Sequence, residues 1–419
     1  MLLDFLLSVI SIVLFVAGAY SLLLILVGIY NKNKLHKEIR CNVPLVGFHP
    51  FYSVLIPAKN EGKVIGRLLD RLSRQDYPKD LYEVIVIEDG SKDNTLQIAK
   101  EYESKNSNYK VLHFDESTGK PASLNKALPY AKGNVIAVFD ADAIIPFNTL
   151  SHAAEYLNDP QVDAIQGVHQ FVNGSDGLLA KAGMFEGLLW HSFILRVKDK
   201  LGLFVPLCGS GMFIRRQVFN IVGDWDKMSL TEDADYSVRM LKAGLKIKHV
   251  LITFGHETPS KFRVLFKQRM RWYRGYFITG IKHLDCWKYL DKKLSFDILF
   301  SLLSPLLSVL TVLAFSINTF YFLNGTKIIS FVEVLMSLFS FQFIYLGIII
   351  TWIFLSNIKN KTAYIMSSFL SIPYFFLLAG MNTYMFISLA YNRSFVWTRT
   401  EKTGAIDKIY LKLFSAQST

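Results

Sequence analysis

Residues 5–30 contain no charged side chain. As a helix this run would be about 39 Å long, more than the roughly 30 Å of a bilayer's hydrocarbon core. In lipid every backbone N–H and C=O must be satisfied within the segment, which leaves a single helix as the form such a run can take. A cleaved signal peptide is the competing reading. However, Asp4 stands where a basic leader would be, and the apolar stretch is too long. A retained membrane helix over residues 1–30 is therefore expected. Lys32, Lys34, Lys37 and Arg40 follow within a basic linker, residues 31–50. The bias of basic residues toward the cytoplasm then directs the N-terminus outward and the next segment inward, with the basic cluster against anionic lipid head groups.

The apolar residues gather at the two ends of the chain. Further apolar stretches occupy residues 298–323, 334–356 and 363–390, and the last contains Pro373, Gly380 and Asn382, which suit a kinked or re-entrant segment. Three crossings would put the tail, residues 391–419, outside. Its Arg393, Arg399, Lys402, Lys408 and Lys412 against Glu401 and Asp407 favour the cytoplasm instead, which is the side expected here. The net charge of +12 fits a membrane surface and an anionic substrate. No nucleic-acid recognition motif accompanies it, and nucleic acid is not expected as a partner. Cys41, Cys208 and Cys286 are too scattered for a disulfide framework or a zinc site.

Residues 51–260 read differently. Tyr52-Ser53-Val54-Leu55-Ile56, closed by Pro57, is a short β-rich run; Val84-Ile85-Val86-Ile87 and Val135-Ile136-Ala137-Val138-Phe139 are continuous aliphatic strands. Helical spacing separates them, as over residues 64–72. Unbroken apolar strands between helices predict an α/β domain with a mostly parallel sheet covered on both faces. Ligands bind at the carboxyl ends of such strands. Two acidic motifs fall there, Glu88-Asp89 and Asp140-Ala141-Asp142. Residues 261–290 hold a basic and aromatic amphipathic helix, centred on 264–279, of the kind that lies in a membrane interface.

Each motif has an ordinary reading beside a chemical one. Asp140 and Asp142 could cap a helix or chelate Mg²⁺ or Mn²⁺, leaving positions for phosphate oxygens. Asp233, in Thr231-Glu232-Asp233, opens a helical segment, where the helix dipole would hold its pKa down; a proton-abstracting role needs burial or neighbouring acids to raise it. Arg271 and Trp272, in Gln268-Arg269-Met270-Arg271-Trp272, are an interfacial anchor or a diphosphate fork beside a flat face for a sugar. His256 is a structural histidine or a further metal ligand.

Taken in this order, over residues 53–272, these motifs resemble the family 2 glycosyltransferases, the group of cellulose, chitin and hyaluronan synthases and ceramide glucosyltransferases. The resemblance implies a GT-A (Rossmann-like) cytoplasmic domain, flanked by transmembrane helices at both ends, in the cell membrane. It implies an inverting, metal-dependent hexosyltransferase acting on a nucleotide sugar, with UDP as the carrier. Asp233 would be the base beside Glu232, with Gln268, Arg271 and Trp272 taking part in catalysis. Pro57, Asn60, Glu61, Glu88, Asp89, Lys120 and Asp140 would bind the nucleotide sugar, and Asp140, Asp142 and His256 the metal. Cys208, Gly209 and Ser210 would lie beneath the acceptor with Trp272. Glu88 replaces the usual Asp, and Ala122 a usual Gly after Lys120. The sequence leans to a growing polysaccharide as acceptor, exported through the spans if the protein forms a homo-oligomer. Transfer of one sugar to a membrane lipid is the alternative.

Overall fold

The computed structural model describes residues 2–30, 49–324, 361–391, 400, 402–407 and 410. The span expected at 334–356, most of the basic linker with Cys41, and most of the tail lie outside the described residues.

In chain order the elements are α1 (Leu2–Tyr30), β1 (Tyr52–Ala58), α2 (Ile65–Ser73), β2 (Tyr82–Asp89), α3 (Thr95–Lys105), β3 (Tyr109–Phe114), α4 (Lys120–Ala127), β4 (Val135–Val138), α5 (Thr149–Leu157) and β5 (Ala164–Phe171). Then come α6 (Leu178–Gly187), a π-helical turn (Leu188–Ile194), α7 (Leu195–Lys200), β6 (Met212–Arg215), α8 (Arg216–Val222), α9 (Glu232–Lys242), β7 (Ile247–His256), α10 (Phe262–Lys282), α11 (Lys292–Leu302), α12 (Ser304–Leu323) and α13 (Lys361–Ala390).

The strands form one sheet in the order β3-β2-β1-β4-β6-β5-β7, parallel except for β6, which runs against both neighbours. Alternate residues of the aliphatic strands enter two separate cores. Val54, Ile56, Val84 and Val86 pack with Ile65, Leu68 and Leu72 of α2. Leu55, Ile85, Ile87, Ile136 and Val138 pack with Leu124, Trp225, Tyr236 and Met240 on the other face. Both faces are thus covered, as continuous apolar strands require. Pro57 does not close β1. It lies opposite Ile87 within the strand, while pairing with β4 has already ended at Leu55–Val138. One side of Pro57 is therefore free of the ladder, and a missing N–H costs nothing there.

Among the described residues, three helices are long and apolar enough to cross a membrane: windows Asp4–Tyr30, Ser304–Tyr321 and Phe369–Ala390. The stretch expected at 298–323 is two helices rather than one, broken at Leu303 ahead of Pro305, whose ring suits a helix start and not its interior. The first of the two, α11, docks on the sheet domain. Its Asp297, fully buried, pairs with Lys198 of α7 at 2.8 Å and accepts from Tyr20 Oη at 2.6 Å and Phe204 N at 2.7 Å. In α1, Gly28 allows contact with the π-turn, since a Cβ there would stand 2.3 Å from Phe193. α13 runs as one helix through Pro373 and packs Tyr374, Leu378, Met381 and Met385 against Leu265 and Met270 of α10.

Candidate active site

The carboxyl rim of the sheet opens into a cavity of about 510 Å³. Pro57 and Asp89 reach it from the ends of β1 and β2, Asp140 and Asp142 from the loop after β4, and His256 from the end of β7. Because β6 is reversed, the loop entering it, with Cys208 and Gly209, lies on the same rim.

Asp140, Asp142 and His256 offer ligand atoms all within 4.8 Å of one another. Two ammonium groups balance the carboxylates. Lys120 Nζ donates to Asp140 Oδ1 at 2.6 Å and to Gly209 O at 2.8 Å, and Lys402 Nζ donates to Asp142 Oδ2 at 2.5 Å. Burial pushes both carboxyls up, but Lys120 brings Asp140 below its ordinary value, and Lys402 and His256 hold Asp142 well below it. His256 Nε2 is buried without a partner among the described residues. His256 also lies against the buried ring of His169, which stacks on His191 from the π-turn. Burial, followed by the neighbouring His256, lowers the His169 pKa to about 3, so the ring is neutral and accepts or donates as a fixed dipole. Two carboxylates and one imidazole with an unsatisfied ring nitrogen suit a divalent cation such as Mg²⁺ or Mn²⁺.

Asp233 is the second residue of α9, where the helix dipole favours a carboxylate. Burial in the cleft outweighs this, and the Glu232 charge adds to it, raising the Asp233 pKa to about 7. Gly209 lies directly beneath. Its φ of +72° suits glycine, and a Cβ there would come within 3.0 Å of both Asp233 Oδ2 and Lys120 Nζ.

The amphipathic helix expected at 264–279 is α10. At Gly275 it packs so tightly on Thr231 that a Cβ would meet the Thr231 methyl at 2.5 Å, and this brings Arg271 to the start of α9. Gln268, Arg271 and Trp272 line the cavity opposite the acidic cluster. Arg269 is buried between Glu186 and Tyr374, donating to both, and its guanidinium lies 4.7 Å from the Trp272 ring centre.

Of the residues expected at the site, Glu61, Lys120, Cys208 and Glu232 also line the cavity, whereas Asn60, Glu88 and Ser210 do not. Glu88 is buried behind the rim, accepting from Ser91 N and bonded to His113. Asn60 Oδ1 accepts from Lys92 N and shapes the same turn. Ser210 Oγ accepts from Asp140 N and supports the acidic loop. Asp89 holds Ser117, Thr118 and Gly119 with its carboxylate, presenting Lys120. Sequence reasoning missed Lys402, Glu186, His169 and Glu257. The Glu257 carboxylate receives the backbone N–H groups of Thr403 and Gly404, pinning that strap over the cavity. In the sequence Lys402 stood out only as one of the basic residues of the tail.

A family profile described as Glycosyltransferase like family 2 matches residues 49–275, more than half the chain. The chain belongs to this family. Beta-monoglucosyldiacylglycerol synthase of Trichormus variabilis is 32% identical over 249 residues, 59% of this chain and 52% of that protein. Probable glycosyltransferase YdaM of Bacillus subtilis is 30% identical over 291 residues, 66% of this chain and 68% of that protein. The family 2 chain thus spans about half the length of the first of these relatives. Mannosyltransferase PcManGT from Pyrobaculum calidifontis, solved with GDP-Man and Mn²⁺, superposes with a TM-score of 0.55 at 18% identity, covering 90% of this chain and 99% of that one. At that identity the likeness concerns the fold, which is GT-A-like as expected.

Proposed function

We propose that this family 2 protein transfers one sugar from a nucleoside-diphosphate sugar, with UDP as the expected carrier, to a hydroxyl of a membrane lipid, with inversion. The observation that carries the reading is a carboxyl poised near pH 7, Asp233, in the same cavity as the Asp140–Asp142–His256 cluster. Asp233 takes the acceptor hydroxyl's proton as that oxygen attacks the sugar carbon and the bond to the diphosphate breaks on the opposite face. Lys120, Arg271 and Lys402 supply positive charge toward the departing diphosphate, and Glu232 keeps Asp233 basic. Trp272 offers a flat face to the sugar. Asp140, Asp142 and His256 would hold a divalent cation, which when bound neutralises charge on the leaving group.

The lipid acceptor is favoured over the polysaccharide to which the sequence leans. The Trichormus variabilis relative is named for a glycolipid, and the three described apolar helices offer few walls for a hydrated sugar path. The polymer reading keeps one support, the Cys208-Gly209 loop on the cavity floor. Mass spectrometry of products from UDP-sugars and a lipid extract tests both: a single sugar increment on a lipid is expected, and a ladder of increments would replace this reading with the polymer.

A further inference from the structure

The cavity continues past Trp272 and Tyr273 into an arm between α12 and α13. Ser304, Pro305 and Ser308 line it on one side, and Phe375, Ala379 and Asn382 on the other. Pro305, Phe375 and Ala379 give this wall apolar surface beside the hydroxyls of Ser304 and Ser308, and it belongs to two helices long and apolar enough to cross a membrane. Asn382 adds a side-chain amide to it. It is 4% exposed, lies in the middle of the apolar window Phe369–Ala390, and its Oδ1 has no partner among the described residues. Leaving a buried amide oxygen unsatisfied is costly, and polar side chains inside such helices mark the path of a substrate. At the rim end of the same cavity Gln268 repeats the pattern, buried with an unpartnered Oε1. Two unpartnered acceptor atoms along one path, set between helices of membrane-crossing length, call for a ligand with hydroxyl or amide donors at its head and hydrocarbon behind.

We propose that this arm seats the head of the lipid acceptor, with Asn382 accepting a hydrogen bond from a head hydroxyl or N–H and the acyl chains leaving between α12 and α13. The inference rests on the lipid-acceptor reading above and adds to it a residue that selects the acceptor.

The test uses the full chain in nanodiscs, with UDP-glucose and, separately, dioleoylglycerol, ceramide and monoglucosyl-dioleoylglycerol. For whichever lipid is glycosylated, Asn382→Leu should raise the lipid KM about five- to ten-fold, the equivalent of one hydrogen bond, while the donor KM changes by less than about two-fold. Ala379→Phe, which narrows the arm without removing a polar group, should raise the lipid KM as well, and it carries the test if Asn382→Leu does not fold. Unchanged lipid KM values in both variants, or equal changes in the donor KM, would overturn the inference and leave lipid transfer standing. Elongation of a glycan, with no lipid accepted by the unaltered protein, would overturn the lipid reading itself and this inference with it.

Discussion

Lys402 and Asp142, 260 residues apart in sequence, meet at 2.5 Å, so that an ammonium from the strap over the cavity occupies an oxygen of the acidic cluster. Cation and ammonium compete for that oxygen. Lys402→Met should therefore let Mn²⁺ bind several-fold more tightly, as the carboxylate regains its uncompensated charge, while the donor KM rises. Titration followed by electron paramagnetic resonance reads the first effect and initial rates the second; unchanged Mn²⁺ affinity would show that the strap does not guard the cluster.

The proposed base, Asp233, would act in its deprotonated form, and its pKa is raised to about 7. The rate should then climb about ten-fold per pH unit below that value and level off above it. Asp233→Asn should lower kcat by at least about 10²-fold and abolish the ascending limb. An unchanged profile in the variant would assign the limb to another group.

Asp235, one turn face away from Asp233, serves stability instead. It is fully buried and bonded to His283 at 3.0 Å, Lys282 at 2.7 Å and Arg239 at 2.9 Å, joining α9 to α10. Burial raises its pKa, but these partners lower it below the ordinary carboxylate value. A lowered folded pKa contributes stability above the unfolded value of about 3.9, and that stability is lost as pH falls through the folded value. Asp235→Asn should cost about 3–5 kcal/mol at neutral pH, seen as a lower melting temperature, with the gap to the parent closing in acid.

Gly209→Ala should nearly abolish transfer with only a small loss of thermal stability. Gly244→Ala is the matched control. Its φ of +78° carries the same left-handed strain, about 1 kcal/mol, but no atom lies within 4 Å of its added Cβ. Equal losses of rate in the two variants would mean that crowding of Asp233 and Lys120 is immaterial.

The sheet and its acidic rim were legible because β2 and β4 are unbroken aliphatic runs that end in carboxylates, and local spacing is enough to see this. Asp233 could be found only by its motif, since Asp235 sits in the same turn with similar neighbours in sequence. What separates them is burial against Glu232 in one case and the bonds to His283, Lys282 and Arg239 in the other, and both depend on packing. Lys402, Glu186 and His169 were illegible for the same reason: their partners are Asp142, Arg269 and His256, all distant along the chain. Hydropathy merged α11 and α12 because it cannot register the break before Pro305, nor that Asp297 is bound by Lys198.

The reversed direction of β6 has a consequence for how such a protein can diversify. On the proposed reading the loops that leave β1, β2 and β4 face the donor, whereas the loop carrying Cys208 and Gly209 arrives at the rim before its strand begins. An insertion there lengthens the approach to β6 without passing through any parallel strand, so the register of the donor half is untouched. Acceptor choice can drift while the grip on the nucleotide stays constant.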